Sequence, residues 1–129
     1  LELGHLLGWY LPEALGDGTT IRWSDDRVGF RLSMPAGSGP GWLSLRLAAG
    51  RPPDVPLPAV EVWLEGTRMG RFTAENGWHT YLFEIGDRPA GTVLWFELRC
   101  PTFRPHRYDR RLDDDRRLGV MVDWLQLAR

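Results

Sequence analysis

The chain has no lysine, one cysteine and three histidines, and each shortage excludes a class of chemistry. All 16 cations are arginine, which excludes a Schiff-base lysine and a P-loop lysine. The single Cys100 excludes an internal disulfide and a thiolate zinc cluster. His5, His79 and His106 lie far apart without metal-ligand spacing, and no Gly-x-Ser-x-Gly elbow or His-Glu-x-x-His motif is present. We therefore expect a protein that is not an enzyme.

The chain also lacks long apolar runs and an excess of charge. No segment reaches the roughly 18 apolar residues that a membrane-spanning helix needs. The net charge is -1, from 16 cations and 17 acids, which gives no general attraction to nucleic acid or to an anionic membrane. We expect neither a nucleic-acid partner nor direct membrane insertion. Residue 1 is leucine rather than methionine, so we expect residues 1–129 to be a single domain from a larger protein.

Glycine and proline are abundant, with 15 and 10 residues, and they separate short apolar stretches. These stretches alternate apolar and polar residues with a period of two, which is the pattern of half-buried strands. Residues 118–127 form one more, nearly continuous apolar strand. The alternating stretches have apolar positions at Val28, Phe30, Leu32 and Met34; Leu43, Leu45 and Leu47; Val60, Val62 and Leu64; Tyr81, Phe83 and Ile85; Leu94, Phe96 and Leu98.

The segments between these stretches have the composition of turns and crossings. Ser24–Arg27 and Glu65–Thr67 are suited to closing hairpins, and the proline-rich stretch Arg51–Pro58 is suited to crossing between sheets. Pro101–Leu118 is a longer polar excursion of 18 residues, and loops of that length are usually functional or poorly ordered. The sequence predicts an all-β protein, an antiparallel β-sandwich of the jelly-roll type with eight or nine strands.

Helical patterns fit poorly. Only Pro12–Leu15 and Arg110–Arg117 are compatible with a turn or two of helix.

Tryptophan is frequent, with seven residues in 129. Sugar-binding modules stack exposed tryptophan and tyrosine rings on pyranose rings, and charged side chains bind the hydroxyl groups. Trp63 and Trp95 lie at outward positions of their strands and Trp78 begins a strand, so these rings are candidates for such a surface. Alternatively, the tryptophans fill a wide core or contact a parent protein.

Two clusters of cations and aromatics, Trp9-Tyr10 and Arg22-Trp23, lie near the N-terminus. The Pro101–Leu118 excursion carries a third. The last strand of a jelly roll often pairs near the first, so the excursion is expected near the N-terminal clusters. Together they would form a polar pocket with aromatic walls. The alternative is a solvated basic loop tied by salt bridges to Asp113, Asp114 and Asp115. The candidate ligand-binding residues are Trp9, Tyr10, Glu13, Arg22, Trp23, Phe103, Arg104, His106 and Tyr108.

Two further residues have unusual positions. Asp123 shares a predicted strand face with Met121, Leu125 and Leu127, and a carboxylate there needs a partner or a shifted pKa. That partner is an arginine, backbone N–H groups, or a structural calcium ion shared with Glu2. Cys100 precedes a proline at an inward position, and we interpret it as a buried small hydrophobe. No other cofactor is expected.

Three segments resemble a known fold family. Gly77-Trp78-His79-Thr80-Tyr81-Leu82-Phe83-Glu84-Ile85 and Gly91-Thr92-Val93-Leu94-Trp95-Phe96-Glu97-Leu98 resemble paired strands of galactose-binding-like jelly rolls, which include many carbohydrate-binding modules. Val122-Asp123-Trp124-Leu125-Gln126-Leu127 is similar to their final strand. In calcium-containing members an aspartate at that place ligates a structural ion with acids near the N-terminus. Here Asp123 and, among the N-terminal acids, Glu2 match.

A narrower resemblance covers most of the chain. The segments Gly8–Glu13, Ile21–Trp23, Thr102–Pro105 and Asp115–Val120 look like a β-sandwich module that accompanies bacterial membrane glycosyltransferases and other cell-envelope sugar-handling proteins. The resemblance implies an accessory domain outside the cytoplasm, in the cell envelope. It marks Tyr10, Glu13, Arg22, Trp23, Phe103, Asp115 and Arg117, as glycan contacts or as residues of the seam that closes the fold.

The function that we expect is therefore that of a non-catalytic, carbohydrate-binding-like accessory module, with a glycan and the rest of its parent protein as partners. The alternative is a structural or docking module without a sugar ligand, which would present a flat apolar patch. For the seam, we expect Arg22 and Arg117 to pair with acids such as Glu13 and Asp115.

Overall fold

Two antiparallel sheets pack face to face in the computed structural model, which describes residues 8–129. This confirms the predicted all-β antiparallel sandwich, and residues 8–129 contain nine strands and a single helical turn. The elements are β1 Glu13–Ala14, β2 Thr20–Trp23, β3 Arg27–Ser33, β4 Gly41–Ala48, β5 Ala59–Leu64, β6 Thr67–Thr73, β7 His79–Gly86, β8 Val93–Arg99, α1 Pro105–Tyr108 and β9 Met121–Ala128.

The sheet order brings the two ends of the described chain together. One sheet has five strands in the order β1-β2-β9-β4-β7, and the other has four in the order β3-β8-β5-β6. The last strand, β9, pairs with β2 on one side and β4 on the other. The loop before β9 therefore starts at the four-stranded sheet, where β8 ends, and arrives beside the N-terminal strands.

The core lies between the sheets and consists of the inward residues of the alternating stretches. The inward residues of β3, β4, β5 and β8 that the sequence predicted are buried, apart from the partly exposed Leu32. Trp9 joins this core. Its Nε1 donates a hydrogen bond to the Gly29 carbonyl at 2.9 Å, and its ring meets Phe30 edge-on at 6.5 Å. The ring of Trp9 is therefore buried in the core rather than exposed, and its assignment to a binding site stays a prediction.

One of the two predicted hairpins is present. Glu65 and Gly66 join β5 to β6, both with positive φ (48° and 82°), which matches the twist of a tight two-residue hairpin. Ser24–Arg27 does not close a hairpin, because β2 and β3 lie in different sheets. The side chain of Ser24 instead accepts a hydrogen bond from the N–H of Val120 at 2.9 Å, which holds the corner against the start of β9.

The helical segments also differ from expectation. Pro12–Leu15 contains strand β1, because Glu13 pairs with Ile21 across the sheet edge. The helical turn lies earlier in the excursion than expected, at Pro105–Tyr108 rather than at Arg110–Arg117. Proline fits the first turn of a helix, where its missing N–H has no partner to lose.

Asp123 lies at a β-bulge in β9. Trp124 pairs with Arg46 and Val122 pairs with Leu47, so Asp123 is the extra residue of the bulge. The bulge shifts the alternation, so that Val122 and Leu125 are both buried while Asp123 is partly exposed. The prediction that Asp123 shares a face with Leu125 is therefore wrong. Its Oδ2 accepts a hydrogen bond from Nε of Arg46 at 3.1 Å, which is the arginine partner that the sequence left open.

A buried arginine joins the loops at one end of the sandwich. The Arg51–Pro58 segment crosses from β4 to β5, as predicted, and the side chain of Arg51 is only 7% exposed. Its guanidinium donates to the carbonyl of Ala49 at 2.9 Å, to that of Pro101 at 2.8 Å, and to that of Gly119. No carboxylate in residues 8–129 forms an ion pair with it, and burial lowers the pKa of Arg51.

The ion pairs of the seam join different residues from those predicted. Arg116 pairs with Glu13 at 2.6 Å, whereas Arg117 pairs with Asp25 at 3.1 Å on the surface. Asp115 is bound by Arg104, which donates to its backbone carbonyl. Arg22 donates to the carbonyl of Tyr10 at 3.3 Å and binds no acid within residues 8–129.

The two arginines give a matched stability test. Arg51→Met should lower the free energy of unfolding by about 3 to 5 kcal/mol, because three buried carbonyls lose a charged donor. Arg117→Met should lower it much less, since its ion pair is solvated. Urea unfolding of both variants and the parent protein measures this. A loss below about 1 kcal/mol for Arg51→Met would show that water replaces the guanidinium.

Cys100 gives a second prediction. The thiol is buried, as expected, and burial raises its pKa to about 11. At pH 8 a thiol reagent should therefore label the native protein slowly and label it fully in denaturant. Because the folded pKa exceeds the unfolded one, this group's contribution to stability is complete below pH ~9 and is lost as pH rises through ~11. Rapid labelling of the native protein would contradict the burial of Cys100.

Candidate functional site

A cleft of about 570 Å³ opens at the end of the sandwich where Arg51 lies. Three parts of the chain surround it: the β1–β2 edge, the start of the β4–β5 crossing, and the excursion. Its position is the one that the sequence predicted for a pocket, next to the N-terminal clusters. It is lined by Glu13, Trp23, Gly50, Arg51, Pro52, Pro53, Phe103, Pro105, Tyr108, Asp109, Leu112, Asp114, Arg116 and Leu118.

Three neighbouring aromatic rings line the cleft. Phe103 is buried and pairs through its backbone with Leu118, which closes the base of the excursion. Its ring meets Trp23 edge-on at 6.0 Å and lies 6.4 Å from Tyr108. The guanidinium of Arg51 lies over the same ring at 4.5 Å. Trp23 is half-buried and Tyr108 is 51% exposed, so these two rings can contact a ligand.

Gly50 allows Trp23 its position. Its φ is 61°, and a Cβ there would lie only 3.0 Å from the indole ring. Glycine is therefore required twice, for the left-handed backbone and for the close approach of the ring.

Charged groups also line the cleft. Arg116 binds Asp114 through two hydrogen bonds, at 2.9 and 2.7 Å, and binds Glu13 at 2.6 Å. This arginine lowers the pKa of Asp114, and the same hydrogen bonds raise the pKa of Arg116. Asp109 is held by Arg111 at 3.0 and 2.9 Å, which lowers the pKa of Asp109. Asp114 and Asp109 are therefore ionised at neutral pH and present fixed hydrogen-bond acceptors.

The excursion is held in place by its own backbone and by one histidine. The N–H of His106 donates to the carbonyl of Asp114 at 2.9 Å. Its ring Nδ1 lies 2.7 Å from the carbonyl of Leu112, which assigns the proton to Nδ1. His106 thus orders the loop beside the cleft rather than lining it. The helical turn of the excursion has four residues.

Within residues 8–129, no helix has the length and hydropathy of a membrane span.

The structure divides the predicted ligand-binding residues into three groups. Trp9 is in the core, and Glu13, Trp23, Phe103 and Tyr108 line the cleft. The remaining residues support it from outside. Tyr10, whose pKa is raised by burial, donates its hydroxyl to the carbonyl of Arg117 at 2.9 Å, and its ring lies under Arg116 at 5.1 Å. The supporting residues are Tyr10, Arg22, Arg104, His106, Asp115 and Arg117.

Sequence reasoning missed four charged residues of the cleft: Arg51, Asp109, Asp114 and Arg116. The run from Asp113 to Arg117 has three acids followed by two arginines, and composition does not say which members face inward. The sequence did contain a signal that could have identified Arg51 as a candidate, because this charged residue stands between an apolar strand and two prolines.

The calcium hypothesis has no support in the described residues. Asp123 is paired with Arg46, and residues 8–129 contain no group of three or more histidine, cysteine, aspartate or glutamate side chains placed to bind a metal ion. Glu2, the other predicted ligand, lies outside the described residues.

The tryptophans that the sequence placed outward lie on the two outer sheet faces. Trp63 and Trp95 are half-buried on the four-stranded sheet, and the guanidinium of Arg99 covers Trp63 at 3.9 Å. Trp78 lies beside the five-stranded sheet with Arg46 5.6 Å from its ring. None of the three lines the cleft.

Comparison with known proteins gives structural matches only. No family model and no curated protein matches the sequence. The C-terminal family 6 carbohydrate-binding module of a marine laminarinase from Zobellia galactanivorans superposes with a TM-score of 0.57 at 15% identity, covering 100% of this chain and 97% of that one.

Two further solved structures are similar to the chain. A family 35 carbohydrate-binding module from Clostridium thermocellum has a TM-score of 0.56 at 15% identity, covering 92% of this chain and 88% of that one. The first family 36 module of a multidomain xylanase from the hindgut metagenome of Trinervitermes trinervoides has a TM-score of 0.54 at 12% identity, covering 100% and 94%. The chain therefore has the β-sandwich fold that these carbohydrate-binding modules share.

Proposed function

We propose that the protein is a non-catalytic carbohydrate-binding module whose ligand is a glycan bound in the end cleft. The observation that carries the proposal is that the aromatic rings of Trp23 and Tyr108 and the charged groups of Asp114 and Arg116 line the same cleft. A pyranose ring has apolar C–H faces and a rim of hydroxyl groups, and this cleft offers a counterpart to each. The shared fold with modules that are named as carbohydrate-binding adds support.

The aromatic rings of the cleft suit the faces of a sugar ring. Tyr108 is exposed, and Trp23 is held by Phe103 and Gly50, so little freedom is lost when a ring packs on it. Such packing buries apolar surface at small conformational cost.

The charged side chains of the cleft suit the hydroxyl groups of a sugar. The carboxylates of Asp114 and Asp109 accept hydrogen bonds, and Arg116 donates them. Because Arg116 already holds Asp114 and Arg111 holds Asp109, these groups are ordered before a ligand binds. No nucleophile or proton-transfer pair is needed for this function.

We further infer that the domain is an accessory part of a larger bacterial envelope protein, of the kind that accompanies membrane glycosyltransferases, and acts outside the cytoplasm. This rests on the resemblance of the Gly8–Glu13, Ile21–Trp23, Thr102–Pro105 and Asp115–Val120 segments to the module described above. The partners are then a glycan and the rest of the parent protein.

A docking module is the second candidate, and one observation favours it. Trp42 and Leu82 lie on adjacent strands of the five-stranded sheet, and both are exposed on its outer face. An apolar pair on an open sheet face can contact another protein.

A glycan-array screen of the purified protein, with calcium and with chelator, tests the proposal. Specific binding is expected, and Tyr108→Ala and Trp23→Ala should each weaken it about tenfold or more, or roughly 1.4 kcal/mol. The matched control is Trp42→Ala, which removes an aromatic ring of the outer sheet face and should leave glycan binding unchanged.

The outcomes separate the two candidate functions. No binding by a folded sample in either condition would overturn the cleft proposal and favour docking. Binding that Trp42→Ala abolishes while Tyr108→Ala retains it would place the glycan on the outer sheet face instead. Binding lost with chelator would assign an ion to the protein.

A further inference from the structure

The outer face of the four-stranded sheet has an unusual row of charges. Strand registers place Arg27, Arg99, Glu61 and Arg71 side by side on β3, β8, β5 and β6. Neighbouring strands lie about 4.8 Å apart, so the row spans about 14 Å. Arg27 and Arg99 are direct cross-strand neighbours, and like charges in that relation are destabilising.

The face as a whole is positive although the chain is not. Outward positions of the four strands hold five arginines and two glutamates, an excess of three positive charges on a chain whose net charge is -1. A local excess of this kind attracts anions even when the total charge is near zero. The charged residues of this face are Arg27, Arg31, Arg68, Arg71, Arg99, Glu61 and Glu97.

The two glutamates are occupied by neighbours on the same face. Glu97 binds Arg27 at 2.9 Å and Arg99 at 2.8 Å. Glu61 binds Arg68 at 3.1 Å and accepts a hydrogen bond from Nε1 of Trp63 at 3.2 Å. These contacts hold three of the arginines in place at the sheet surface.

The other two arginines have no acid partner within residues 8–129. Arg71 is exposed on the edge strand and makes no side-chain hydrogen bond there. Arg31 lies opposite Trp95, and its Nε is buried without a hydrogen-bond partner. The described residues therefore leave part of the hydrogen-bonding capacity of the Arg31 guanidinium unused.

Aromatic rings and a groove complete the surface. The indole of Trp95 lies against Gly29, where a Cβ would be only 2.2 Å from the ring. A groove of about 410 Å³ runs between Arg27, Arg71 and Arg99 at one end of the face. It shares no residue with the end cleft.

We propose that this face is a second binding surface, for a linear polysaccharide that bears carboxylate or sulfate groups. Arginine forms bidentate hydrogen bonds with such groups. Arginines spread over about 14 Å fit a chain of anionic sugars better than a single small anion. The two glutamates of this face, and Asp26 in the groove, would repel the closely spaced phosphates of a nucleic acid. The proposal is independent of glycan binding in the end cleft.

Affinity electrophoresis and calorimetry with polygalacturonate, dextran sulfate and neutral dextran test this surface. The folded protein should bind the two polyanions, less tightly as salt increases, and should not bind dextran. The double variant Arg31→Gln/Arg71→Gln should bind about tenfold more weakly, or roughly 1.4 kcal/mol. The matched control Arg107→Gln/Arg110→Gln removes two exposed arginines of the excursion and should bind as the parent protein does.

Further arms keep the test decisive. Arg71→Lys keeps the charge but loses the bidentate geometry, so it should bind more weakly than the parent protein and more tightly than Arg31→Gln/Arg71→Gln. Thermal unfolding of each variant shows that it is folded. Equal binding by the parent protein and the Arg31→Gln/Arg71→Gln variant would overturn the proposal. Loss of polyanion binding in Trp23→Ala alone would also overturn it and assign acidic sugars to the cleft.

Tighter binding of an oligonucleotide than of either polysaccharide at equal salt would make this a nucleic-acid surface, against the proposal. Polyanion binding without any cleft-dependent binding would support it and reject the cleft function.

Discussion

A single buried charge, the guanidinium of Arg51, organises the end of the sandwich. It lies out of solvent with no carboxylate partner in the described chain, and carbonyl groups take the place of its water. Those carbonyls belong to three different parts of the chain: the end of β4, the start of the excursion, and the approach to β9. Because a buried cation needs all of these dipoles, the three backbones must meet at one place.

The cleft is a consequence of that meeting. Phe103 lies on Arg51, and the rings of Trp23 and Tyr108 lie around Phe103. The ion pairs of Arg116, which also lines the cleft, join the excursion to β1. The excursion therefore has a defined shape although only four of its residues are helical. Its order comes from hydrogen bonds and ion pairs rather than from a core of its own.

The two outer sheet faces differ in chemistry. The four-stranded sheet carries arginines, two glutamates and two tryptophans, whereas the five-stranded sheet exposes Trp42 and Leu82. A net charge near zero hides this asymmetry, because the average over the chain says nothing about where charges lie.

The sequence by itself determined the sandwich, because period-two alternation records which face of each strand is buried. The Glu65–Gly66 hairpin and the Arg51–Pro58 crossing were also readable, since turn chemistry is local. Strand partners were not readable, and so Ser24–Arg27 was misassigned as a hairpin. The bulge at Asp123 was hidden as well, because one inserted residue changes the face of its neighbours without changing composition.

The site was only partly predictable for the same physical reason. Trp23, Phe103, Tyr108 and Glu13 could be proposed from residue type and from the expected approach of the last strand to the first. Whether an aromatic ring is exposed, as in Tyr108, or buried, as in Trp9, depends on packing between distant segments. Which arginine of a run meets which acid depends on distances that only the folded chain sets, so Arg116 rather than Arg117 binds Glu13. Local pattern therefore determined the strands, and the tertiary structure decided the site, because its contacts join residues up to 103 positions apart.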